Sequence, residues 1–183
     1  MKRTIFILLL AVVSINAFSQ RGDLTVGGKG GYAISNADLN YNGFIYGLDL
    51  AYHISNPLEI VFTGLLNPNI SRKVGDNNEN LAVYSANLDF RLYLINQREW
   101  ATGPALGGQY YIVDYIKQNL GADKTFGFNI GWHLRVNLTD YVKLNGGWRY
   151  VNAKAKTKGV YNIPFDMSNH LIYLGVGYTF ELR

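Results

Sequence analysis

The stretch Thr125-Phe126-Gly127-Phe128-Asn129-Ile130-Gly131-Trp132-His133-Leu134-Arg135-Val136-Asn137-Leu138 alternates without a fault. Every even position is large and apolar, and every odd position up to Asn137 is small or polar. A period of two sends the two sets to opposite faces of one β-strand. Phe44, Tyr46, Leu48, Leu50, Tyr52 and Ile54 repeat the pattern, interleaved with Gly47, Asp49, Ala51 and His53. Only Ile45 departs from it, at that strand's start.

Working outward, the alternation predicts eight strands, near 22–34, 43–54, 58–66, 82–95, 100–113, 125–138, 141–152 and 169–182. Ser55-Asn56-Pro57, Asn96-Gln97-Arg98-Glu99 and Thr139-Asp140 are short turns. Segments 35–42, 67–81, 114–124 and 153–168 are longer and mostly polar, so short and long connections alternate. That is the signature of an up-and-down meander. The expected fold is all-β, an eight-stranded antiparallel up-and-down barrel over residues 20–183.

Residues 1–19 read as a signal peptide. Lys2 and Arg3 precede nine apolar residues, Ile5 to Val13, and Ala17-Phe18-Ser19 offers small residues for cleavage. Nine residues fall well short of the ~20 that a membrane-spanning helix needs. Of 183 residues, 48% are hydrophobic and 16% charged, a composition that excludes disorder. With no Cys there is no disulfide framework, thiolate metal site or lipid-modified N-terminal Cys. The formal charge of +4 falls to +2 without Lys2 and Arg3, too little to argue for nucleic acid.

Alternation alone fits both a soluble barrel with an apolar inside and a membrane barrel with an apolar outside. Side-chain size favours the second. Trp100, Phe126, Phe128, Trp132 and Trp148 share one face, while Gly103, Ala105, Gly107, Gly127, Gly131, Gly147, Gly175 and Gly177 share the other. Small residues make room in a narrow lumen for long polar chains. The small face also carries Lys29, Arg91, Arg135, Lys143 and Arg149 against Asp49, Glu59, Asp89 and Glu181. That near balance suits charges that must pair away from water. Strands of 9–14 residues match the ~9–11 needed to cross a bilayer at a tilt. Tyr32, Tyr52, Trp100, Tyr110, Tyr141, Trp148 and Tyr150 gather near strand ends, as interfacial girdles do. A secreted, soluble ligand-binding barrel is the alternative.

The secretory start, the eight segments and the ending Tyr173-Leu174-Gly175-Val176-Gly177-Tyr178-Thr179-Phe180 resemble the small outer-membrane β-barrel family, which includes OmpX and the membrane domain of OmpA. The resemblance covers the mature chain and implies the outer membrane of a Gram-negative bacterium. It also implies a monomer among outer-membrane lipid and lipopolysaccharide. Leu174, Val176, Tyr178 and Phe180 resemble the signal read by the barrel-assembly machinery. The family commonly ends on the aromatic, whereas Glu181-Leu182-Arg183 follow here.

For the interior, the expectation is a structural polar network that includes His53 and His133, with His53–Glu59 and Lys143–Glu181 as pairs. Arg135 is expected among Glu59, Asp89 and Glu181, with Trp132 facing lipid. The same charges would suit a narrow path for ions or water, so that reading stays open. No catalytic, cofactor or metal site is expected, and partner contacts fall to the outer loops. An enzyme alternative rests on Ser168-Asn169-His170 with Asp166. Some barrels of this size act as lipid A acyl hydrolases or acyltransferases with Ser and His near the outer rim. The order here reverses their His-x-Ser, and a turn entering a strand explains the triplet equally. Lys154, Lys156 and Lys158 could meet lipopolysaccharide phosphates or simply solvate the last long loop.

Overall fold

The computed structural model describes residues 22–35, 42–74, 77–115, 123–156 and 164–181. The expected signal peptide, Lys158 and the side chain of Lys156 lie outside the described residues.

Eight long strands build the wall: β1 (Asp23–Ser35), β2 (Gly43–Ser55), β3 (Leu58–Val74), β4 (Asn77–Leu92), β6 (Trp100–Tyr115), β7 (Asp123–Asn137), β8 (Val142–Lys156) and β10 (Asn169–Glu181). Two short ones, β5 (Ile95–Asn96) and β9 (Pro164–Asp166), pair with β6 and β8. Each long strand lies antiparallel to its sequence neighbours in the wall. The last strand, β10, bonds both β8 and β1, from Asp23↔Glu181 to Ser35↔Asn169, which closes the barrel and leaves no free edge.

Eight of the expected strands are present, but several run further than the apolar alternation suggested. The β3–β4 hairpin continues through the expected loop 67–81 to Val74↔Asn77, with an irregularity between Asn67 and Ile70. The expected loop 153–168 contributes the end of β8 and all of β9, paired Lys154↔Asp166 to Lys156↔Pro164. Hydrophobic alternation reports burial of one face, and it fades where water can reach both. Backbone hydrogen bonding needs no such pattern, so the ladder continues where the sequence signal stops.

The middle of the outer wall is apolar. Phe44 is 76% exposed, Leu48 71% and Phe128 70%, with Leu88, Leu106, Ile130, Trp132, Leu174 and Val176 among them. Trp132 lies on this wall and its Nε1 donates to Thr102 Oγ1 at 2.7 Å. Aromatic pairs mark both ends of the belt. Tyr141 and Tyr178 stack at 5.9 Å at the end bearing the short turns, and Tyr32 and Phe44 meet edge-on at 5.2 Å at the loop end. A soluble protein does not surround itself with so continuous an apolar surface. Leu174, Val176, Tyr178 and Phe180 all face outward on β10.

Candidate functional site

The inward face is a stack of three layers, built by strand register. His53 on β2 stands opposite Glu59 on β3, and Glu59 stands opposite Arg91 on β4. All three point inward, so three neighbouring strands assemble one cluster. Glu59 Oε1 lies 3.0 Å from His53 Nε2, and Glu59 Oε2 accepts from Arg91 Nη1 at 3.0 Å and from Tyr93 Oη at 2.8 Å. Arg135 approaches Glu59 at 3.9 Å and lies over the Tyr93 ring, 4.5 Å from its centroid.

Other bonds cross the lumen. Arg149 on β8 pairs with Asp89 on β4, although β6 and β7 separate those strands in the wall. His133 on β7 sits between Arg91 Nη1, 3.3 Å from Nε2, and Tyr173 Oη, 3.1 Å from Nδ1. A guanidinium only donates, so Nε2 accepts and the ring proton sits on Nδ1. Lys29 pairs with Asp49 at 2.7 Å and donates to Thr63 at 3.1 Å. The inward glycines make this crowding fit. A Cβ on Gly175 would stand 2.9 Å from Lys29 Cβ, and one on Gly147 2.8 Å from Tyr173 Oη.

Two expected partnerships take another form. Glu181 lies exposed on the rim, because it is the last residue of its strand, and Lys143 turns instead to His53, 3.4 Å from Nε2. Of the three carboxylates expected around Arg135, only Glu59 is near. Asp89 belongs to Arg149, and the remaining contacts of Arg135 are His53 and Asn96. Around Glu59, therefore, Arg91 and Arg135 share one buried carboxylate, and Lys143 stands behind His53.

Above this network, at the loop end, apolar side chains enter the lumen beside buried Asn67, Gln109 and Asn169. Ala33, Ile45, Leu65, Leu81, Val83, Val113, Val151, Met167 and Leu171 form one buried cluster with Tyr111 and Tyr173. Sequence reasoning missed this cap, although Ile45 was its visible sign. An apolar residue at an inward position breaks the two-fold pattern because the interior itself has changed character there. Below the network, at the turn end, a polar vestibule of about 350 Å³ opens to the outside. Its lining includes His53, Asn96, Arg135, Asn137, Lys143 and Glu181.

Ser168 and His170 do not come together. Ser168 is buried, with its Oγ accepting from the Ala153 amide at 3.3 Å. His170 lies on the outer wall between Trp148 and Tyr150, and its Nδ1 accepts from Trp148 Nε1 at 3.2 Å. Asp166 accepts from the Ser168 amide at 2.8 Å, which is a turn-forming bond. Among the described residues, no group of three or more His, Asp or Glu could hold a metal ion.

A closed β wall, apolar outside and lined within by paired charges, defines an integral outer-membrane β-barrel protein. Residues 5–180 match the family model described as outer membrane protein beta-barrel domain, and the chain belongs to that family. In fold it is similar to Neisserial surface protein A (17% identity, TM-score 0.60), covering 87% of this chain and 97% of that one. It is likewise similar to OprG from Pseudomonas aeruginosa (12%, TM-score 0.65), covering 89% and 97%. The N-terminal barrel domain of OprF from Pseudomonas aeruginosa is a further likeness (14%, TM-score 0.51), covering 88% and 98%. None of the curated proteins matches the chain in sequence.

Proposed function

We propose that the protein is a non-enzymatic, monomeric envelope barrel whose lumen is closed and whose partner contacts are made by its outer loops. Both termini then lie in the periplasm after removal of residues 1–19, with the barrel-assembly machinery reading Leu174, Val176, Tyr178 and Phe180. Lipid and lipopolysaccharide surround the wall. The observation that carries this reading is the filled lumen, with crossed ion pairs in the middle and an apolar cap at the loop end. A side-chain-filled eight-stranded barrel has no wide aqueous channel to offer a substrate.

Ser168 is buried against the β8 backbone and His170 lies on the outer wall, which supports a structural role for both. Mass spectrometry of lipid A from cells with and without the gene tests this. Unchanged acyl composition is the expected result. An acyl chain gained or lost in a manner dependent on Ser168 and His170 would overturn it. Heat-modifiable gel mobility of the membrane fraction checks the folded barrel independently.

A further inference from the structure

The apolar outer wall is interrupted by a groove of about 470 Å³ that crosses β3, β4, β6 and β7. Ala86 and Gly108 form its floor, and Phe62, Phe90, Leu106 and Phe128 stand along its margins. Tyr110 and Phe126, ladder partners on β6 and β7, bound it on the side of the long loops. Gly64, the ladder partner of Ala86, adjoins the floor, and a Cβ there would meet no atom within 4 Å. An inward glycine such as Gly107 makes way for a neighbour, since its Cβ would run into Asp89. Gly64 relieves no contact within the chain, so the low relief here answers to what lies outside it.

Two cations stand at the loop-side end of the groove. Lys124 shares the outward face of β7 with Phe126, two residues nearer the loop. Lys154 on β8 flanks Phe126 from the other side. It follows Ala153, the ladder partner of Gly127, and its carbonyl accepts from Thr125 Oγ1 at 2.6 Å. Both lysines are exposed, and among the described residues neither has a carboxylate within 4 Å, Asp114 and Asp166 included. We infer that the groove seats one acyl chain of a lipid A molecule, with a phosphate of its headgroup held by Lys124 and Lys154. The inference rests on the membrane reading above, under which hydrocarbon already covers this part of the wall. Within hydrocarbon the gain comes from close packing rather than from exclusion of water. A slender chain can pack against Ala86 between the rings, whereas a second barrel presents a convex wall that Phe62 and Phe128 hold away from the floor. The lysines then select the headgroup, because an ammonium group binds phosphate as a point charge. The longer loops mark the outer leaflet, whose phosphorylated lipid is lipid A.

The test is native mass spectrometry of the folded barrel in dodecyl maltoside micelles carrying lipid A, dephosphorylated lipid A or phosphatidylglycerol at equal mole fraction. One lipid A per barrel is expected, retained at least fivefold better than either of the others. Ala86→Phe fills the groove from its floor and should lower retention fivefold or more. Lys124→Gln combined with Lys154→Gln leaves the groove intact and should lower it as far. Val26→Phe, on the outward face of β1 and away from the groove, should not change it. Heat-modifiable mobility confirms that each variant is folded. Equal retention of the three lipids, or equal retention of lipid A by wild type and either folded groove or lysine variant, would overturn the site while leaving the membrane barrel standing. A dimer that Ala86→Phe abolishes would overturn it too, by assigning the groove to a second copy of the chain. Failure of the wild type to fold into micelles or vesicles would instead count against the membrane reading on which the site rests.

Discussion

Arg149 on β8 is bonded to Asp89 on β4 across the width of the lumen, with both side chains almost wholly buried. The bond ties opposite walls of the barrel, which neighbouring-strand hydrogen bonds cannot do. The pair lies away from water, so its partners depend on each other more than on the solvent.

Arg149→Ala should therefore lower unfolding stability by about 3–5 kcal/mol, since Asp89 is left charged and unpaired. The double variant Asp89→Ala with Arg149→Ala should be less unstable than the sum of the singles by at least ~1 kcal/mol. Urea titration followed by gel mobility of folded and unfolded forms measures both. Additive losses would mean that the two groups do not act as a pair.

The sequence made the barrel legible because alternation and loop length are local signals. Phe126 to Leu138 already separates two faces, and glycines such as Gly131 and Gly175 already announce a crowded interior. Which charge meets which partner was less accessible. His53 and Glu59 sit across a short turn, so their pairing is nearly a local property. Arg149 and Asp89 meet only because the wall closes and curves, and nothing in either strand encodes the other. The apolar cap was hidden for a related reason. Ile45, Val113, Val151 and Leu171 occupy inward positions in four separate strands, and each reads alone as a minor lapse in the pattern.

Tyr93 lies just beyond β4 and donates to Glu59 Oε2 while its ring supports Arg135. Tyr93→Phe keeps the ring and removes one bond to a charged acceptor, for an expected cost of ~1.5–3 kcal/mol. Tyr93→Ala removes both and should cost more. Equal losses for the two would assign the effect to the hydroxyl alone. The measurement is the same denaturant midpoint, compared at constant slope.

Ile130 faces outward midway along β7, opposite Leu106 and Tyr150. Ile130→Arg should cost about 2–4 kcal/mol if the site lies near the bilayer midplane. Trp132→Arg, closer to the turn-end interface, should cost less by this depth term, with the loss of its bond to Thr102 added. Lys154→Ala, on the exposed end of β8, should stay within about 0.5 kcal/mol. Arg135→Ala should rank with the costly changes. Refolding into liposomes, with stability read by denaturant titration, orders the four variants. Tolerance of arginine at 130 and 132 would mean that the wall does not face lipid.

On the proposed reading, the apolar cluster at the loop end, rather than the ion network, closes the lumen. Below it the interior is polar from the vestibule up to Asn87 and Asn129, whose buried amides have no partner among the described residues and suit bridging water. Above, Val113 and Leu171 lie in the same buried cluster as Met167 and offer water nothing to bond. A constriction narrowed by apolar side chains on a polar path is a barrier to ions. Val113→Ser combined with Leu171→Ser should thus raise single-channel conductance in a planar bilayer above that of the wild type. Arg149→Ala, which leaves the cap intact, should raise it less. The pair of cap changes also removes buried apolar volume, so a loss of a few kcal/mol should accompany the gain in conductance. Conductance that rises with Arg149→Ala and not with the cap variant would move the gate from the apolar layer to the ion pairs.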